Sequence, residues 1–292
     1  MTIRAYLQAN TESLAGKTVA ITGSTGGLGR ELVEHLAALG ASLILLDRNT
    51  ARSEALRDSL VARYGVHVRC IHLDLEDMAT VRIAIDALSS LPLDIFIHNA
   101  GAYKIPRHTC DSGLDNVFQI NFAAPYYMIR SLLPTLRARG GHAVAVGSIA
   151  HNYSRIDKDD MEFSTRRASS KVYGNAKRHL MFSLLELFRT ETDATLSIVH
   201  PGITLTNMTA HFPKPIFAVI KYPMKVIFMS PRRASLSLLS GVFEPCAPDE
   251  WIGPRVANIW GLPRKKKLRT ASADERAEIA QRAVTVYERL LK

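Results

Sequence analysis

Cysteine is scarce in this chain, three residues in 292. Cys70, Cys110 and Cys246 lie far apart, without a Cys-x-x-Cys pair and with no nearby histidine in ligand register, which excludes a disulfide framework and fits packed, reduced thiols. No cluster of His, Cys, Asp and Glu has metal-ligand spacing, so no metal is expected. Long apolar runs are missing too, since no segment supplies the roughly 20 such residues that a membrane-spanning helix needs. The opening Met1-Thr2-Ile3-Arg4-Ala5-Tyr6-Leu7-Gln8 lacks the apolar stretch of a secretory leader. These absences together predict a cytoplasmic protein. Repeats and low-complexity stretches are absent, and one domain is the expectation at this length.

What is present begins with charge. Lysine and arginine number 37 against 27 acidic residues, a net +10. Such an excess suits nucleic acid, an anionic membrane surface or an anionic cofactor. No helix-turn-helix, zinc-finger or RNA-recognition pattern accompanies it, so nucleic acid is not expected; peripheral membrane contact is left open. Much of the excess sits in Arg264-Lys265-Lys266-Lys267-Leu268-Arg269, read as the start of a solvated, basic C-terminal tail with a helix over 263–292.

From Lys17 onward, short runs rich in β-branched residues alternate with longer runs of helical period. That alternation predicts β-α-β units and a Rossmann-type, doubly wound parallel sheet of about seven strands with helices on both faces. Strands are expected at 18–22, 42–47, 67–73, 95–98, 142–147, 196–200 and near 254–259, inside a catalytic domain spanning 17–262 after an N-terminal extension over 1–16. A long helix is expected from Asn116 to Arg137, bent or ended by Pro134. Two stretches break the alternation: an insert at 149–170, and 206–231, where bulky apolar residues mix with three lysines. The second is read as a lid over an apolar substrate.

Tyr173 and Lys177 are one helical turn apart, so both side chains leave the same helix face. A cation at about 4 Å, in an effective dielectric of about 20, favours phenolate by roughly 4 kcal/mol and would bring the phenol near neutrality. A group poised there exchanges protons with a carbonyl or alcohol oxygen. Upstream, Gly23, Ser24, Thr25, Gly27, Leu28 and Gly29 follow a predicted strand and open a predicted helix, the context in which a pyrophosphate meets backbone N–H groups. Asp47 closes the second strand where a carboxylate can accept from ribose hydroxyls, which favours NAD; the guanidinium of Arg48 leaves NADP open. Asp74 with Leu75 is placed to meet adenine, and Asn99-Ala100-Gly101 to bring small-residue backbone against the cofactor.

As a set, Thr22-Gly-x-x-x-Gly-x-Gly29, Asp74-Leu75, Asn99-Ala100-Gly101, Asn121, Ser148, Tyr173-x-x-x-Lys177 and Pro201-Gly202 resemble the short-chain dehydrogenase/reductase family over roughly 17–259. The resemblance implies that Tyr173 is the acid/base and that Ser148 bonds the substrate oxygen. It implies that Lys177 holds the nicotinamide ribose and lowers the phenol pKa, and that Asn121 orders a relay water. Pro201, Gly202, Thr204 and Thr206 match the segment that meets the carboxamide. The spacing of 25 between Ser148 and Tyr173, and Val146-Gly147-Ser148-Ile149-Ala150-His151, are similar to the retinol dehydrogenase branch. Two departures stand out: Asp47-Arg48-Asn49 replaces that branch's Cys-Arg-Asn, and His98 replaces the first Asn of Asn-Asn-Ala-Gly.

The function expected is an NAD(P)-dependent oxidoreductase that interconverts an alcohol and its carbonyl on a moderately large apolar substrate, acting as a homo-oligomer by family analogy. A dinucleotide-binding sensor or scaffold without turnover is the alternative, as is a sugar-nucleotide epimerase. The epimerases prefer Gly-x-x-Gly-x-x-Gly, and sensors can lose the tyrosine or lysine that this chain keeps.

Overall fold

The computed structural model describes residues 3–204 and 229–292. Thr206 and nearly all of the predicted lid therefore lie outside the described residues. Eight strands form one sheet in the order β3-β2-β1-β4-β5-β6-β7-β8. The first seven run parallel: β1 (Thr18–Thr22), β2 (Ser42–Asp47), β3 (Val68–His72), β4 (Ile95–His98), β5 (His142–Val146), β6 (Thr195–Val199) and β7 (Glu250–Val256). Central strands such as β1 are buried on both faces, which is why they read as unbroken apolar runs. Alternate residues feed two cores: Val19 and Ile21 pack with Leu32, Leu36 and Leu239, while Ala20 packs with Phe96, Phe122 and Phe182.

The eighth strand is a correction. β8 (Trp260–Lys267) contains most of the basic run, and it pairs antiparallel with β7 through Trp251↔Lys266, Ile252↔Lys265 and Gly253↔Arg264. Lysine, arginine and proline are depleted in strands, so their pattern reads as solvated tail. At a sheet edge the same residues serve to keep another strand from pairing. The left-handed turn at Ala257 (φ 49°) and Asn258 (φ 58°) closes the hairpin, and it moves the seventh strand upstream of the predicted 254–259.

Helices α2 (Gly27–Ala38), α3 (Thr50–Tyr64) and α8 (Pro231–Phe243) cover one face of the sheet, together with α1 (Ile3–Asn10), which buries Tyr6. The other face carries α4 (Met78–Ser89), α6 (Ala124–Arg137), α7 (Ser169–Leu187) and α9 (Ala273–Leu291). The C-terminal segment is thus a packed helix, with Ile279, Ala283, Val286 and Leu290 in the core.

The expected long helix starts at α5 (Asn116–Phe118), widens into a π-helical turn over Gln119–Ala123 and resumes as α6. Pro134 lies inside α6 and ends nothing. The disturbance sits at Asn121, whose Nδ2 donates to Val117 O at 2.8 Å and so competes for a carbonyl four residues back.

Candidate active site

The strand order reverses between β1 and β4, and the loops beyond their carboxyl ends form the crevice in which open α/β sheets bind ligands. Gly23 turns the chain with φ 71°, and a Cβ at Gly29 would stand 2.2 Å from Gly23 O. Only glycine lets the loop fold back this tightly over the first turn of α2. Gly26 caps α2 without a side-chain bond, Gly27 is exposed, and Thr25 and Leu28 are half-buried, so the helix's positive end faces the crevice.

Several motif residues hold this loop in place. The Asn99 amide donates to Thr22 O at 3.0 Å and Gly23 O at 2.9 Å, so its side chain staples β4 to the glycine turn. Thr22 Oγ1 accepts from Asn99 N at 3.1 Å and Ala100 N at 3.0 Å. With both lone pairs engaged, the Thr22 proton goes to His98 Nδ1 at 3.2 Å, which fixes the imidazole with its proton on Nε2. Burial holds His98 well below the usual histidine range, so it is neutral.

Asp47 and Ser24, expected as cofactor contacts, also bond within the glycine loop. Asp47 is buried, accepting from Thr25 N at 3.0 Å, from Thr25 Oγ1 at 2.9 Å and from the Ser24 hydroxyl. Its carboxylate is committed to bracing the loop, and the Ser24 hydroxyl to the carboxylate. Arg48 is exposed beside it. Asp74 Oδ1 accepts from Glu76 N at 3.0 Å, and the Leu75 carbonyl takes the Gln119 amide at 2.9 Å.

The catalytic candidates converge. Lys177 is 1 % exposed and its Nζ donates to Val146 O at 2.9 Å. A Cβ on the exposed Gly101 would lie 3.6 Å from that Nζ and 2.9 Å from Asn121 Oδ1. Asn121 is fully buried, accepting from Ala102 N at 3.2 Å and donating to Ala102 O at 2.9 Å. Its two Nδ2 protons are thus spent on Ala102 O and Val117 O, while Oδ1 keeps one acceptor position beyond the bond from Ala102 N. The Tyr173 phenol faces the Ser148 hydroxyl, which also caps a short 3-10 turn (Ile149–Tyr153) through Ala150 N at 3.1 Å. Tyr103, unnoticed in the sequence, packs edge-on against Tyr173 at 5.2 Å between centroids. Pro201, Gly202 (φ 83°) and Thr204 follow β6, and Thr204 bridges to Met229.

The electrostatics run against expectation. Burial pushes the Tyr173 phenol up to about 12; the Ser148 bond lowers it, and Tyr103 raises it further. Lys177, whose Nζ lies 5.9 Å from the tyrosine ring centroid, is pushed down to about 7 by burial alone. The ammonium meets no carboxylate among the described residues, and burial disfavours the charge whose pull on the phenol was expected. An ammonium has three donors, and only Val146 O takes one here. The remaining donors, the glycine turn and the positive end of α2 fit a dinucleotide with its ribose diol.

The sequence also passed over His108 beside Cys110. Ligand-type atoms of Glu76, His108 and Cys110 lie within 4.8 Å of one another, with His108 Nε2 at 3.0 Å from Glu76 Oε2. His108 Nδ1 faces the Asn116 amide at 3.1 Å, which leaves its proton on Nε2 toward Glu76. Burial pushes the Cys110 thiol up to about 11. The arrangement is that of an imidazole–carboxylate hydrogen bond beside a protonated thiol.

Comparison with known proteins places these features in context. The family model described as short chain dehydrogenase matches residues 17–215. Human retinol dehydrogenase 13 is 30% identical over 206 residues, covering 68% of this chain and 62% of that protein, so the chain spans less than two thirds of that relative. A solved structure of a putative uncharacterized protein from Mycobacterium paratuberculosis superposes with a TM-score of 0.74 at 26% identity, covering 97% of this chain and 96% of its own. A short-chain dehydrogenase from Sphingobium yanoikuyae, solved with NADPH, superposes with a TM-score of 0.55 at 25% identity, over 66% of this chain and 74% of its own.

Proposed function

The chain belongs to the short chain dehydrogenase family, and we propose that it moves a hydride between a nicotinamide dinucleotide and the carbon of an alcohol or carbonyl. The observation that carries this reading is the meeting of Tyr173, Ser148 and Lys177 behind a glycine turn that is bonded, through Asn99, to the loop bearing Gly101. A bound nicotinamide supplies or accepts the hydride. In the reductive direction the Tyr173 phenol gives its proton to the substrate oxygen, and Ser148 steadies the charge developing there. The phenol, raised by burial, carries its proton at neutral pH, as the reductive step requires. Oxidation reverses the proton's path and needs a phenolate. Tyr173→Phe should lower kcat by about 10²- to 10⁴-fold with a secondary alcohol or ketone, read at the reduced-nicotinamide band. Undiminished turnover would refute the assignment.

The substrate class is inferred to be apolar and moderately large. Support comes from the bulky apolar residues of 206–231, from Tyr103 beside Tyr173, and from a human relative that bears retinol in its name. NAD was expected because Asp47 could accept from ribose hydroxyls and would repel a 2′-phosphate; with Asp47 bonded to Thr25 and Ser24 and with a relative solved with NADPH, we favour NADP. Arg30 and Arg52 line a cleft of about 380 Å³ beside Thr25, where a 2′-phosphate would find cations. Parallel kinetics with NAD and NADP decide the point.

A homo-oligomer remains the expectation by family analogy, checked by mass in solution. Exposed Trp260 and Val256, with Arg255 and Arg264 nearby, support contact with an anionic membrane surface, to be tested by sedimentation with anionic vesicles. Cytoplasmic placement rests on the three unpaired thiols.

A further inference from the structure

The catalytic serine depends on a turn that makes little secondary structure of its own. Ser148 opens the 3-10 turn Ile149–Tyr153, and His151 Nδ1 sits 2.6 Å from Ser148 O. That nitrogen must donate, since its partner is a carbonyl. The His151 carbonyl in turn accepts from Arg178 Nη1 at 3.1 Å. Arg178 follows Lys177 in α7, so it leaves the helix about 100° away from the lysine and faces the C-terminal helix α9. There it meets Glu275 in a two-pronged pair, Nε to Oε1 at 2.6 Å and Nη2 to Oε2 at 2.6 Å. Glu275 Oε1 also receives Ile156 N at 3.4 Å.

Side-chain exposure is 9% for Arg178 and 15% for Glu275. Glu275 stands in the first turn of α9, where Ser272 Oγ accepts its N–H at 3.2 Å. A glutamate at that position commonly bonds back to the cap residue; here it reaches across to another helix. One carboxylate thereby holds the turn at His151 through Arg178 and the segment just after it at Ile156 directly. Arg282, further along α9, adds a bond to Asp157 O at 2.8 Å.

We propose that Arg178 and Glu275 are positioning residues: through them the C-terminal helix fixes the turn that sets Ser148 opposite the Tyr173 phenol. The inference rests on the reading of Ser148 and Tyr173 as the reacting pair. The contacts are rigid, directional and mostly shielded from water, which is what a group needing sub-ångström placement requires. The glycine turn lies outside this chain of bonds.

The test uses the full chain with Glu275→Gln and Arg178→Lys. Expected are a drop in kcat of about 10- to 100-fold, hydrogen exchange at the Ala150 and His151 amides faster by about tenfold, and an unchanged dissociation constant for NADPH. Should Glu275→Gln fail to fold, Arg178→Lys, which keeps the charge, gives the same readouts. The exchanged pair Arg178→Glu with Glu275→Arg restores the ion pair but sets a carboxylate against the His151 carbonyl. It should recover the melting temperature and leave kcat low. Full recovery of kcat in that double variant, or normal kcat with unchanged amide exchange in the single ones, overturns the proposal. Tyr173→Phe serves as the control. If it stays active, the reading of the reacting pair is wrong; if it is dead while Glu275→Gln is fully active, only the positioning role is wrong.

Discussion

Lys177 should cost the fold stability that its removal returns, and the return should depend on pH. Its amine is buried with a single carbonyl partner, and burial lowers its pKa from 10.5 to about 7. In the unfolded chain the amine titrates at its ordinary value. Below about pH 7 both states carry the proton and the folded one bears the full desolvation cost, roughly 5 kcal/mol at 1.4 kcal/mol per unit. Between about 7 and 10.5 the unfolded state binds more protons than the folded, so stability rises with pH; above that range the cost is gone. Lys177→Met keeps the volume and removes the charge, so it should be more stable than the parent at pH 6.5. Relative to the variant, the parent should gain about 2–3 kcal/mol between pH 6.5 and 9. Urea unfolding of both proteins without cofactor at the two pH values measures the gap. Two curves separated by the same free energy at both values would refute the claim that an uncompensated buried amine sits there. The variant should also lose turnover, which separates its gain in stability from any gain in function.

Other consequences follow from the loops. Gly29→Ala puts a methyl 2.2 Å from the Gly23 carbonyl, so it should weaken NADPH binding at least about tenfold and cost about 1–3 kcal/mol, read by calorimetry and by unfolding. Thr22→Val strands two half-buried N–H groups and the buried His98 acceptor, for a loss of about 1–3 kcal/mol in urea unfolding; a loss under about 0.5 kcal/mol would contradict the bond assignment. Arg52→Ala combined with Arg30→Ala should raise KM for NADP about tenfold and leave NAD untouched, and an equal effect on both cofactors would remove the 2′-phosphate from that cleft.

The sheet from β1 to β6 was legible because buried parallel strands are written as β-branched runs between helical periods, and their predicted ends agree with the structure to within a residue or two. β8 was not legible. Its stability comes from pairing with β7 and from its place at an edge, and neither leaves a mark in local composition. The same holds for Asn121: its type marks a break in the helix, but the form of the break depends on a bond to Ala102, 19 residues upstream. The spacing of Tyr173 and Lys177 was read correctly as one face of α7. Burial raises the phenol and lowers the amine, an effect that local spacing does not announce.

The motif residues divide accordingly. Tyr173, Ser148, Lys177 and Gly101 present atoms or open backbone to the crevice. Thr22, Asn99, Asn121, Ser24 and Asp47 spend their polar groups on one another and on the loops that carry the first set. Groups bonded this heavily inside the protein fix the backbone that meets the ligand. Selection of the cofactor's phosphate falls to nearby cations. Arg30, Arg48 and Arg52 are the exposed cations flanking the glycine turn and the start of α3, and the motif does not prescribe them. A substitution among those three should shift cofactor choice with little change in stability. A substitution at Asn99 or Asp47 should unsettle the loop and weaken both cofactors together.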